Sequence, residues 1–223
     1  MGNINYQSSS DHTKYYNSDG KEVPSVTTIL KLLNKPRLVN WANYLGMKHE
    51  SVDKALEKSS YIGTMVHNVI ECHLLGKKFE LPTGEAKTWF IEVPDYFNQY
   101  MSWRENNKLE PIEVEKQMVC EYFGGTCDFY GIYEDKKTII DFKTSKSVYS
   151  SMFLQLGAYT YMKELSGDIV EQVGILTVNK NKCYITLKTR EEIQKYIDIF
   201  LDISKLYMDI YHLNVVDGWA QEI

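Results

Sequence analysis

The apolar positions of the chain change period near residue 110, and the predicted elements change with them. Before that point the spacing is helical. Ser25 is a good N-cap, with Ile29, Leu30, Leu32 and Leu33 as the apolar stripe behind it and Lys35-Pro36 as its stop. Further helices are predicted over 38–45 and 52–58. Met65, Val66, Val69, Ile70 and Leu74 predict a helix over 63–75 that ends at Gly76. That helix carries His67 and Glu71, four apart, on one face. An aromatic-rich stretch over 85–107 reads as a long helix that Pro94 kinks or divides. The polar residues 1–20 read as a loose arm or a hairpin.

Beyond residue 110 the period is two. Ile112, Val114, Met118, Cys120 and Tyr122 suggest strands, Gly124-Gly125 a tight connection, and 126–133 a second strand. A turn at 135–137 leads to a third strand over 138–143. Three successive strands are most simply an antiparallel meander. A helix over 151–165, strands over 173–179 and 183–188 and a closing helix over 190–211 complete the order. The expected fold class is mixed α/β, with an N-terminal helical part over 1–110 and an α/β core over 111–223 of one domain.

Composition narrows the class. The chain has 223 residues, 43% hydrophobic and 25% charged, as soluble globular proteins do. That excludes a wholly disordered chain, a collagen-like repeat and a membrane bundle. With no basic start and apolar core of a secretory signal, a cytoplasmic protein with reduced thiols is expected. The net charge of −5 argues against coating nucleic acid by bulk charge. Residues 1–60 nevertheless carry eight Lys/Arg against six Asp/Glu, so a basic segment accompanies an acidic remainder. Cys72, Cys120, Cys127 and Cys183 have no zinc-finger spacing.

The chemistry concentrates in one stretch. Asp141 stands between Ile140 and Phe142 on a predicted strand, where an ionised carboxylate is costly unless paired or bound to a cation. Lys143, two residues on, faces the same side. Read alone, the two make a surface ion pair. If the strands pair, Asp128 lies beside Asp141, and a divalent cation resolves the repulsion of the two carboxylates. Oxygen ligands suit Mg²⁺ or Mn²⁺. A lysine there stabilises charge developing on a phosphate, a combination that fits metal-assisted phosphodiester hydrolysis.

Taken in order, Gly125-Thr126-Cys127-Asp128, Ile140-Asp141-Phe142-Lys143-Thr144 and Gln155-Leu156-Gly157-Ala158-Tyr159 resemble the PD-(D/E)xK nuclease superfamily, in its RecB-like branch. Upstream, Gly63-Thr64-Met65-Val66-His67 resembles the G-T-x-x-H helix of that branch. Pro24-Ser25-Val26-Thr27 followed by Trp41 resembles the entry segment of phage exonucleases and of the mitochondrial genome maintenance exonuclease. The likeness spans about residues 24–161.

The resemblance implies a restriction-endonuclease-like core: a central mixed sheet flanked by helices, with an N-terminal helical extension. It implies that His67, Asp128, Asp141 and the Phe142 carbonyl bind metal and that Lys143 is the motif lysine. Glu115 matches the acidic residue of the first core strand, with Glu113 as its rival. Glu71 would stand near on the His67 helix, and Gln155 and Tyr159 would support the site and the nucleic-acid strand. Ser25, Thr27, Arg37 and Lys146 are candidate substrate contacts. An iron–sulfur cluster is not expected, because the last third holds only Cys183, and without a P-loop any helicase or recombinase would be a separate protein. The expected activity is a Mg²⁺- or Mn²⁺-dependent deoxyribonuclease, an exonuclease on single-stranded DNA with a free end, serving replication, recombination or repair, phage-encoded in one setting. The alternatives are a structure-specific endonuclease and a non-catalytic DNA-binding or recombination subunit.

Overall fold

The computed structural model describes residues 13–33, 36–83 and 87–217, apart from the side chains of residues 36–37, 87 and 212–217. Strands β1 (Tyr15–Tyr16) and β2 (Glu22–Val23) form an antiparallel hairpin. Its turn needs the left-handed backbone of Gly20, φ 73°. Helix α1 (Val26–Ile29) follows and tightens into a 3₁₀ turn over Leu30–Leu32. Ser25 caps α1 by accepting the Thr28 N–H at 3.0 Å. Helices α2 (Pro36–Met47), α3 (Val52–Leu74), α4 (Lys87–Phe90) and α5 (Val93–Arg104) complete the helical part.

Strands β3 (Leu109–Val119), β4 (Gly124–Tyr133) and β5 (Lys136–Lys143) form the antiparallel meander. Helix α6 (Ser150–Leu165) crosses over to β6 (Gln172–Val178), which pairs with β5 in parallel. Strand β7 (Cys183–Thr189) pairs antiparallel with β6, and α7 (Arg190–Asp217) closes the order. The fold is therefore mixed α/β: one five-stranded mixed sheet, β3-β4-β5-β6-β7, flanked by helices.

Each face of the sheet has its own core. Cys127, Tyr130, Ile139, Val173 and Ile175 pack with Leu156 and Ala158 of α6 and Ile193, Ile197 and Phe200 of α7. On the other face Phe129, Ile140, Phe142 and Leu176 pack with Val66, Val69 and Ile70 of α3 and Tyr100 of α5. Among the described residues no helix is long and apolar enough to cross a membrane.

Several expectations are corrected. The helices over 52–58 and 63–75 are one helix, α3, and Gly63 lies inside it. The first helix is a single α turn before it tightens, and Pro36 opens α2. The stretch over 85–107 is divided, with Pro94 in the first turn of α5, where a missing N–H costs nothing. Gly124 and Gly125 are strand residues, and the connection is 120–123. They are glycine because a Cβ on Gly124 would meet the Tyr15 ring at 2.5 Å and one on Gly125 the Tyr159 ring at 2.6 Å.

Candidate metal and catalytic site

The site begins where the sheet stops being regular. Strands β4 and β5 pair up to Phe129 and Ile140 and then part. Past that point the Phe142 N–H donates to Asp128 Oδ2 at 2.7 Å. A side-chain carboxylate thus takes the place of a ladder carbonyl, and the parting strands leave room between them. The alternation of faces breaks at the same place. Cys127 and Phe129 are two apart, yet they pack into opposite cores. Across the ladder, Val114 pairs with Phe129 and Lys116 with Cys127, so Glu115 stands opposite Asp128. Glu115 has φ 50°, a left-handed conformation that side chains rarely adopt. Such strain persists only where the surroundings enforce it.

Around this break one ligand atom each from His67, Glu115 and Asp128 lies within 4.8 Å of the others. His67 Nδ1 is 3.6 Å from Asp128 Oδ2, and its ring sits edge-on to Phe142. Helix α3 delivers His67 here with Glu71 one turn further on. Glu71 lies near enough for its charge to act on Glu115.

From β5, Asp141 and Lys143 point the same way. Lys143 Nζ donates to Asp141 Oδ1 at 2.8 Å and to Gln155 Oε1 at 3.2 Å. Gln155 Nε2 donates to the Tyr159 hydroxyl at 2.8 Å, one helical turn along α6. Tyr159 is buried, and its hydroxyl is linked to Lys143 through Gln155. Asp141 is buried as well. Its Oδ2 lies 2.6 Å from Lys143 Nζ, so both carboxylate oxygens face the ammonium.

The electrostatics follow from this crowding. Burial, then the charges of Asp128, Glu71 and Asp141, push the Glu115 carboxyl up to about 8. Burial pushes Asp141 up to about 6, with Asp128 adding to it and Lys143 opposing it. For Lys143 burial works against the charged form, but Asp141 and Asp128 outweigh it and hold its pKa above the usual lysine value. The cluster thus holds more negative charge than its one lysine offsets. A divalent cation would relieve that excess, and the carboxylate oxygens are ligands that Mg²⁺ or Mn²⁺ takes. The Asp141 carboxylate, buried at the edge of the cluster, is a further oxygen donor that fits such an ion.

The other anticipated residues fall as follows. Glu113 does not join the cluster; it pairs with Lys163, which also holds Asp168. Ser25 is engaged as the α1 cap and exchanges hydrogen bonds with the Thr27 and Thr28 hydroxyls. Thr27 and Lys146 are exposed. The Arg37 side chain and Lys35 lie outside the described residues. Two neighbours of the site escaped the sequence reading. The Tyr15 hydroxyl shares a hydrogen bond with Thr126 Oγ1 at 2.9 Å, and no local pattern announces a contact 111 residues apart. Lys163 does carry a signal, since it continues the four-residue spacing of Gln155 and Tyr159.

No protein-family model matches the chain, and no curated protein matches it. Solved structures of low identity resemble it. One is a candidate exonuclease from Eubacterium rectale, 16% identical, with 70% of this chain and 68% of that chain covered and a TM-score of 0.44. A second is an alkaline exonuclease from Laribacter hongkongensis, 12% identical over 69% of this chain and 84% of that chain, TM-score 0.33. A third is a phage-related exonuclease from Haemophilus somnus, 15% identical over 68% of this chain and 82% of that chain, TM-score 0.34.

Proposed function

We propose that this protein is a divalent-metal-dependent deoxyribonuclease of the PD-(D/E)xK type. The observation that carries the reading is Lys143 held against Asp141 beside the His67, Glu115 and Asp128 cluster. Asp128, Asp141, Glu115 and His67 would hold one or two Mg²⁺ or Mn²⁺ ions, with the Phe142 carbonyl as a further ligand. When bound, such an ion makes water a nucleophile at neutral pH and stabilises charge on the phosphoryl oxygens.

The chain's own groups do the rest. Lys143 stays protonated and places its ammonium where negative charge grows on the attacked phosphate. Gln155, held by Tyr159, fixes the direction of that ammonium. Asp128 keeps β4 and β5 apart through its bond to the Phe142 amide. Lys146 lies exposed, free to meet phosphates of the strand, and exposed Thr27 shares its hydroxyl with Ser25.

The preferred substrate is single-stranded DNA with a free end. The test is digestion of end-labelled single-stranded DNA with Mg²⁺, Mn²⁺ or EDTA, beside Lys143→Ala. Metal-dependent shortening from one end, lost in the variant, is expected. Equal cutting of linear and circular strands would refute the need for an end. A Lys143→Ala protein with wild-type turnover would refute the assignment.

A further inference from the structure

Strand β3 is an edge strand with β4 as its one sheet neighbour. An edge strand has little to prevent a slip in register. Yet β3 carries two irregularities close together. Its register shifts between Pro111 and Glu113, and its alternation breaks again at Glu115. Something must hold the short piece between them.

Lys163 does this. It is 4% exposed, in the fourth turn of α6. It pairs with Glu113, donates to Asp168 Oδ2 at 2.9 Å, and lies 4.2 Å from the centre of the Tyr130 ring. Tyr130 is the ladder partner of Glu113, and its hydroxyl donates to the Ile169 carbonyl at 2.8 Å. Both members of this rung are therefore tied to α6 and to the loop that follows it. The shift at Pro111/Glu113 turns Glu113 toward α6, and the left-handed Glu115 then turns the next acidic side chain to His67 on α3.

We propose that Lys163 is a positioning residue for the metal site: by pinning Glu113 to α6 it holds β3 in the register that delivers the Glu115 carboxylate to His67 and Asp128. This rests on the reading of Glu115 as a metal ligand. Gln155, Tyr159 and Lys163 follow one another at four-residue spacing on α6. One helical face therefore steadies the motif lysine at one end and the edge-strand carboxylate at the other.

The test is Mn²⁺ affinity, read by electron paramagnetic resonance of free Mn²⁺ over the full chain, for Lys163→Met and Lys163→Arg. Lys163→Met is expected to bind about tenfold more weakly, as loss of a group that orients a ligand does. Lys163→Arg, which keeps a cation for Glu113, is expected to recover most of the affinity. In a Glu115→Gln background Lys163→Met should add no further loss, because its effect passes through Glu115. A folded Lys163→Met protein with wild-type affinity would overturn the proposal, as would an equal penalty in the Glu115→Gln background. If Lys163→Met does not fold, Glu113→Gln keeps the Lys163–Asp168 pair and is expected to weaken Mn²⁺ in the same direction; unchanged affinity there overturns the proposal. A crystal structure of the variant gives a reading free of metal: Glu115 back in extended conformation supports the proposal, and Glu115 still at positive φ refutes it. A wild-type chain that binds no Mn²⁺ is a separate result that overturns the metal reading itself.

Discussion

Glu115→Gln should make the metal-free protein more stable at pH 8 while weakening its hold on metal. The folded chain keeps the Glu115 proton to about pH 8, whereas an unperturbed glutamate releases it near 4.5. The folded pKa is the higher one. The stability it contributes is thus complete below about 4.5 and disappears as the pH climbs toward 8. At about 1.4 kcal/mol for each decade, the full span is worth about 5 kcal/mol. Glu115 is only half-buried, and solvent screening brings the figure to about 2 kcal/mol. Glutamine has the same shape and no charge to ionise. Urea unfolding with EDTA at pH 5 and pH 8 would measure it. The variant should gain about 2 kcal/mol over wild type between the two pH values, with the same slope in urea. Saturating Mn²⁺ should reverse the order, since the wild-type site gains more from the ion. A gap between the two proteins that does not change with pH would refute the account of a crowded, charge-frustrated site.

Two further outcomes follow from contacts in α6. Gly157→Ala gains about 1 kcal/mol of helix propensity, but its Cβ would lie 2.8 Å from the Tyr196 carbonyl carbon and 2.9 Å from the Ile197 nitrogen. Backbone yields poorly, so overpacking of about 1–3 kcal/mol should win; a thermal melt showing a more stable variant would contradict it. Tyr159→Phe removes the acceptor of Gln155 and should cost about 1 kcal/mol of stability. It should also lower kcat about tenfold with little change in KM, and a loss confined to KM would contradict a role in steadying Lys143.

What the sequence made legible is what depends on neighbours along the chain. The i, i+2 relation of Asp141 and Lys143, the Ser25 cap, the positions of Gln155 and Tyr159 on one helix face and the α/β order all rest on local periodicity. Gly124-Gly125 misled because glycine serves two needs. A turn was the local reading, but the cause is the approach of two tyrosine rings from residues 15 and 159. The polar run near Ser59-Ser60 left a gap between two helices, although α3 contains neither a proline nor a capping break there. The preference for Glu115 over Glu113 rests on the resemblance alone, because strand periodicity cannot separate them. Regular alternation would put both on one face, and only the partners of β3, Lys163 on one side and His67 on the other, decide between them.

Under the proposed function, the bond from Phe142 N–H to Asp128 makes one side chain both scaffold and metal ligand. Lys143 ties no backbone group: its bonds are to the Asp141 and Gln155 side chains, and losing it strands the buried Asp141 carboxylate instead. The two are therefore unequal under drift. Were the proposed cleavage no longer selected, a lineage could lose the lysine with the sheet intact once Asp141 is neutralised with it. It could not lose an acceptor at position 128 without leaving a buried amide unanswered. Inactive descendants should accordingly keep Asp or Asn at 128 long after positions 141 and 143 have changed together. An intact acidic residue at 128, by itself, marks ancestry; under the proposed function, the Asp141–Lys143 pair marks continued use.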